Sequence, residues 1–371
     1  MQKHISRRSL LVLPLAAALP HRARAAMPAI TDAAGRSVSL KAPPERIVIA
    51  FNYEEFTAVA GPGGWDRVVG FGRKQWAVNR RAVWEKYRDA IPALSGLADV
   101  GVADDKSFSV ERVLGLRPDL LIIHEWGFRT MAPLMAQIEQ AGVPILVVDY
   151  NAQDPAKHVA GTLALGAAMG TTDRAHALAD LYQAELADIR RRVGGAPAPK
   201  AYVELGSGGA GAIGNTYNDA MWGRMLELAG GANVAAGNIP TGWAKMSPEA
   251  VLAAAPAFVY IIGSSWANAP AAVRAGFGVD EATARQSLAP YQDRPGWRQL
   301  PAIRNGDLHT IEAGLARCLC DWVGTQYIAK QLHPAAFSDV DPVASLRRYH
   351  EAFLPVPLSG TWMTRLRPAG A

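Results

Sequence analysis

The chain has 371 residues, half of them apolar, which is more than one small core can use and enough for two domains of ordinary size. That apolar share excludes wholesale disorder. The formal charge of +5 does not mark a nucleic-acid binder either: Lys3, Arg7, Arg8, Arg22 and Arg24 all fall within residues 1–25, which hold no acid, and the rest of the chain is balanced.

Residues 1–25, "MQKHISRRSLLVLPLAAALPHRARA", run from a basic start through an apolar stretch, Leu10 to Leu19, to Ala23-Arg24-Ala25, the small-x-small pattern of a cleavage site. The apolar stretch is roughly half of a bilayer span. The segment therefore reads as a cleaved export signal, and the paired arginines of "SRRSLLV" resemble a twin-arginine signal. No later uninterrupted run reaches the ~18 apolar residues of a membrane span. The mature protein is expected to be soluble and periplasmic.

Short apolar runs rich in β-branched residues follow: "PERIVIAF" (44–51), "RVVGF" (67–71), "PDLLIIH" (118–124) and "VPILVVD" (143–149). Helical patterns such as "MAPLMAQIEQAG" separate them, so an N-terminal α/β lobe over 26–170 with a parallel sheet is expected. Residues 171–195 then read as one continuous helix bridging two lobes. Leu178, Leu181, Tyr182, Leu186, Ile189 and Val193 form its stripe, Thr172 or Asp173 can cap it, and Gly194 can end it. After "GGAPAPK" the alternation restarts with strands "AYVEL" (201–205), "AFVYIIG" (257–263) and "DLHTIE" (307–312). Helices at 219–229, 247–255 and 316–331, and a last one before Gly360, complete a C-terminal α/β lobe over 196–371. The only cysteines, Cys318 and Cys320, are poorly spaced for an unstrained disulfide and too few for a zinc site. They are expected as small buried side chains of the 316–331 helix.

One unit occurs twice. "FSVERVLGLRPDLLII" at 108–123 returns as "MSPEAVLAAAPAFVYII" at 246–262. Ser109 and Ser247 are placed as N-caps, Pro248 suits the first helical position, and Leu114 and Leu252 face inward. Glu111 and Glu249 then occupy matching first turns, where a carboxylate favours the helix dipole. As a pair they also form a grip for a partner with two arginines.

The order and spacing of "PERIV", "SVERVLGLRPDLLI", "QIEQAGVPILVVD", "LELAGGANVAAG", "WAKMSPEAVLAAAP" and "LHPAAFSD" resemble the substrate-binding proteins of ABC importers for iron complexes and vitamin B12. The resemblance covers most of residues 38–355. It implies two α/β, Rossmann-like lobes with parallel sheets flanked by helices, bridged by one long α-helix. It also implies that Glu111 and Glu249 dock onto an inner-membrane permease. The family's "GGEN" reads "GGAN" at 230–233.

Ligands of open α/β sheets bind beyond the carboxyl ends of strands. In the first lobe this selects Asn52, Tyr53, Arg73, Lys74, Trp76, His124, Trp126 and Tyr150. In the second it selects Asn215, Tyr217, Trp243, Lys245, Trp266 and Arg317, and the resemblance favours Trp126 and Trp243. Aromatic faces with a few cations suit a large anionic chelate, an iron-siderophore foremost, with haem and cobalamin open beside it. An oxyanion such as molybdate is one alternative, served by "GNTYN" and the basic residues. A bare metal ion on His124, Asp149, Glu204 and His309 is another. A dinucleotide on "GSGGAG" (206–211) is the third, although "AIGNTYND" separates that loop from any helix. No nucleophile elbow, phosphate loop or paired-histidine protease motif is present, so neither an enzyme nor a resident cofactor is expected, and the protein is expected to be a monomer.

Overall fold

The computed structural model describes residues 28–103 and 106–366; the expected export signal and the C-terminal "RPAGA" lie outside the described residues. After a small antiparallel ribbon of β1 (Ile30–Thr31) and β2 (Ser37–Val38), the N-terminal lobe alternates strand and helix. Its strands are β3 (Ile47–Ile49), β4 (Val68–Phe71), β5 (Ala98–Asp99), β6 (Leu120–His124) and β7 (Ile145–Val148). Its helices are α1 (Tyr53–Ala60), α2 (Arg81–Ala90), α3 (Val110–Gly115), α4 (Glu125–Thr130), α5 (Ala132–Gln140) and α6 (Pro155–Met169). The five strands pair in the order β5-β4-β3-β6-β7, all parallel.

Helices cover both faces of this sheet, which is why its strands read as unbroken apolar runs. Ile47, Ile49, Leu120 and Ile122 enter one apolar cluster, and Val48, Leu121 and Ile123 enter another on the opposite face. The period-two alternation of strand side chains separates them.

The helix α7 (Thr172–Val193) connects to the second lobe. At 1.5 Å per residue it is about 33 Å long. Ala175, Leu178, Ala179, Tyr182, Leu186 and Ile189 are its buried face, while Leu181 and Val193 are half-buried. Its ends differ from the expectation: Thr171 is the flanking residue and gives no side-chain cap, and Gly195, not Gly194, takes the left-handed turn that stops the helix. α6 crowds against α7 so closely that a Cβ on Gly166 would lie 2.2 Å from that of Ala175.

The C-terminal lobe contains β8 (Lys200–Leu205), β9 (Asn215–Tyr217), α8 (Trp222–Leu228), β10 (Ala232–Asn233), β11 (Trp243–Lys245), α9 (Pro248–Ala254) and β12 (Phe258–Gly263). It continues through α10 (Glu281–Leu288), α11 (Pro301–Arg304), β13 (Leu308–Glu312), α12 (Asp321–Leu332), α13 (Pro342–Phe353) and β14 (Met363–Arg365). β10, β8, β12 and β13 are parallel, and β9, β11 and β14 extend this parallel core as antiparallel edges. One apolar cluster includes Ile49, Tyr182, Trp222 and Tyr260, so the two lobes share a continuous seam.

The repeated unit folds twice the same way. Ser109 Oγ accepts from the Arg112 amide at 3.2 Å at the start of α3, and Ser247 Oγ from the Ala250 amide at 3.1 Å at the start of α9. Both copies end on a non-glycine residue in the left-handed region, Arg117 at φ 49° and Ala255 at φ 48°. Each precedes the matching proline, which disfavours the right-handed conformation for its neighbour. The duplication thus extends to a backbone strain that neither side chain requires.

Candidate ligand cleft

The N-terminal strand order places the topological switch point between β3 and β6, which are adjacent in the sheet but lead into helices on opposite faces. In the second lobe the corresponding point lies between β8 and β12. A cleft of about 1160 Å³ opens there between the lobes. Its wall is drawn from strand ends: Phe51 to Glu55 after β3, His124 to Trp126 after β6, Ser207 after β8, Ser264 and Trp266 after β12, and Gly314 and Arg317 after β13.

Nine of the residues expected from the sequence line this cleft: Asn52, Tyr53, Trp76, His124, Trp126, Tyr217, Trp243, Trp266 and Arg317. They play unequal parts. Tyr53 and Trp76 are fully buried floor; the Tyr53 hydroxyl donates to the Gly72 carbonyl at 2.7 Å, and Trp76 Nε1 donates to Glu54 Oε2 at 3.1 Å. Trp126 and Trp243 are 51 % and 61 % exposed, large apolar surfaces held out from the two lobes. Trp126 completes a pile in the first wall, stacked on His124 (5.8 Å between centroids), which itself lies 4.2 Å from Phe51. Trp243 stands on the edge strand β11, opposite Tyr217 on β9.

Five expected residues lie off the cleft wall. Arg73 turns back to bond the Leu97 carbonyl and to sit over Phe71, and Lys74 is exposed beside it. Tyr150 lies inside the core, its hydroxyl 3.1 Å from that of Thr162. Asn215 and Lys245 face each other across the β9–β11 ladder. In strands this short a shift of one residue reverses the face, and an isolated sequence window does not fix that register.

The wall also holds charges that sequence reasoning passed over. Arg80 pairs with Glu54 and reaches Glu312 of the other lobe at 3.8 Å. Glu312 is anchored in turn by the Ser264 hydroxyl at 2.9 Å and the Gly314 amide at 2.6 Å. Lys157 pairs with Glu125. Arg129 follows Trp126 by three residues on α4, a spacing that was legible; like Arg317, it has no ion pair or hydrogen bond from its side chain among the described residues.

Protonation tips the balance further. Burial, with the neighbouring Glu54 charge second, pushes the Glu55 carboxyl up to about 8, and burial likewise raises Asp149. Burial, with Arg317 adding to it, pushes His124 down to about 3. At neutral pH the floor therefore offers a neutral His124 imidazole and a neutral Glu55 carboxyl, and the wall carries the cations Arg129 and Arg317 without an ion pair among the described residues. Asn52, left-handed at φ 60°, joins the lobes by donating weakly from Nδ2 to the Arg317 carbonyl at 3.5 Å.

The other sequence candidates do not converge. His124 and Asp149 line the cleft, but Glu204 is buried in a bidentate pair with Arg294, and His309 is buried against Tyr327. No group of three or more potential metal ligands occurs among the described residues. "GSGGAG" forms a tight turn at Gly206–Gly208 that leads on to β9, not into a helix, so it lacks the helix N-terminus that receives a pyrophosphate.

Comparison with known proteins agrees with this architecture. The chain is 22% identical over 316 residues to an ABC transporter substrate-binding lipoprotein, YvrC, of Bacillus subtilis, a match covering 84% of this chain and 87% of that protein. Among solved structures it is similar to the TroA-like periplasmic binding protein FepB of Veillonella parvula, with a TM-score of 0.84 and 29% identity over 91% of this chain and 99% of that one. It also shares the fold of the molybdate-binding protein MolA of Haemophilus influenzae, with a TM-score of 0.68 and 18% identity over 90% of this chain and 99% of that one. Residues 47–314 match the periplasmic binding protein family model, and the chain belongs to that family of substrate-binding proteins, which are not enzymes.

Proposed function

We propose that the protein is the extracytoplasmic solute-binding subunit of an ABC importer, that it captures an anionic metal chelate between its lobes, and that the chelate is an iron-siderophore. The observation that carries this reading is the pair of half-exposed tryptophans, Trp126 and Trp243, on opposing walls with the unpaired Arg129 and Arg317 beside them. Flat or aromatic groups stack on indole faces, and guanidinium groups compensate ligand charge. A molybdate-type oxyanion fits less well. It would need a close nest of donors, whereas about 1160 Å³ slightly exceeds the usual range for drug-sized ligands, roughly 300–1,000 Å³.

Delivery would use Glu111 and Glu249. Both are exposed in the first turns of helices that precede parallel strands, a topology that favours the carboxyl edges of their sheets. Its own backbone amide, with the Ser109 hydroxyl donating at 2.8 Å second, holds the Glu111 carboxyl below its ordinary range.

The test is direct. Native mass spectrometry with a visible absorption spectrum of the protein isolated from its own periplasm should reveal a coloured iron chelate. A colourless oxyanion in its place would refute the chelate reading. Replacing Glu111 and Glu249 together by alanine should leave chelate affinity intact and abolish uptake; loss of affinity in that purified variant would count against the docking role.

A further inference from the structure

Cys318 and Cys320 lie on either side of Leu319 in the turn between β13 and α12, with their Sγ atoms 2.8 Å apart. This turn is not the helix the sequence pattern suggested: α12 begins only at Asp321, with Cys320 as its flanking residue, and although the one-residue spacing makes a bond between the two sulfurs a strained one, the turn already brings them into contact. Both thiols border a small cavity of about 40 Å³, beside Glu55, Arg80, Tyr87 and His350. Burial pushes both thiols above their ordinary range, so neither is a standing nucleophile in the folded protein.

The turn is also where the first lobe holds the second. Gln153 Nε2 donates to the Ala316 carbonyl at 2.7 Å, and Asn52 Nδ2 to that of Arg317. The residue before the first cysteine is thus both a seam contact, through its backbone, and a cleft cation, through its side chain.

We propose that Cys318 and Cys320 form an intrachain disulfide by exchange with an external low-molecular-weight or protein disulfide, and that this bond fixes the turn carrying Arg317. One cysteine thiolate attacks the external disulfide and expels one thiolate, giving a mixed disulfide. The second attacks the first cysteine's sulfur and expels the other. In balance, two protein S–H groups and one external S–S bond become one protein S–S bond and two external thiols. Because the sulfurs are buried, exchange takes place before the turn packs or during its local opening. An oxidising periplasm supplies the external disulfide.

The full chain is refolded with oxidised glutathione, then unfolded with iodoacetamide, with and without prior reduction. The expected product without reduction carries no alkyl group and is lighter by two hydrogens than the reduced chain; with reduction, both cysteines are alkylated. Amide hydrogen exchange over 313–321 should be at least ~10-fold slower in the oxidised form. Cys318→Ser and Cys320→Ser should each exchange like the reduced protein. Two alkylated cysteines after oxidation would overturn the disulfide. A disulfide that leaves exchange unchanged would overturn its hold on the turn. Neither outcome bears on the ligand.

Discussion

Replacing Trp243 by alanine should weaken chelate binding while leaving the fold intact. An indole side chain presents roughly 150–250 Å², and 61 % exposure leaves about 90–150 Å² open to the cleft. A flat ligand resting on one face covers about half of this. At about 25 cal/mol per Å² the contact contributes ~1–2 kcal/mol, or roughly 5- to 30-fold in Kd. Trp126, at 51 % exposure, contributes slightly less by the same reasoning. The two indoles stand on different lobes, and their effects are taken as additive. The double variant is then expected to lose roughly 30- to 400-fold, about 2–3.5 kcal/mol. Isothermal titration with ferric catecholate, ferric hydroxamate and haemin, using whichever the wild type binds, measures this. Thermal unfolding serves as the control, because exposed side chains away from core features change stability by only ~0.5 kcal/mol. Unchanged Kd in the double variant would refute the stacking argument, and so would an affinity loss tracking a fall in Tm.

Three further outcomes follow from the same structure. Glu55 keeps its proton up to about pH 8 in the folded protein but only to about 4.5 when unfolded, so the native state binds the extra proton between these values and stability should fall as pH rises through that window. Asp321, also raised to about 8 by burial, acts in the same direction; urea unfolding at pH 6 and pH 9 should show a loss of a few kcal/mol in the wild type and a smaller one in Glu55→Gln, and equal losses would rule out the assignment. Ala255→Gly should stabilise by ~0.5–1 kcal/mol, because a left-handed L-residue costs about 1–2 kcal/mol and glycine returns part of that gain as chain entropy; a measured destabilisation would contradict the strain. Arg317→Gln should weaken binding of an anionic chelate several-fold at low ionic strength, with the difference shrinking as salt is added; a salt-independent loss would point to packing in place of charge.

Local chemistry made most of the fold legible. The core strands announce themselves because burial on both faces demands apolar, β-branched runs, and α3 and α9 because a serine cap and a following proline are local signals that tertiary contacts did not override. The cleft was only partly legible, for two reasons. Tyr150 follows a strand as a ligand residue should, yet its hydroxyl is satisfied inside the core by Thr162, and no neighbouring residue signals that inward turn. Arg80 has the opposite history: it lies at the start of α2, remote in sequence from Glu312, and acquires its meaning only when the lobes meet. The same cause explains the late start of α12. The stretch from Ala316 to Cys320 has the composition of a helix, but Gln153 and Asn52 occupy carbonyls that a helix would have paired internally, and Glu312 captures the amide of Gly314. Contacts across the seam therefore hold this segment irregular, and its irregularity sets Arg317 into the cleft and the two sulfurs side by side. Where helix propensity and backbone geometry disagree in this segment, the disagreement marks the seam between the lobes at the edge of the cleft.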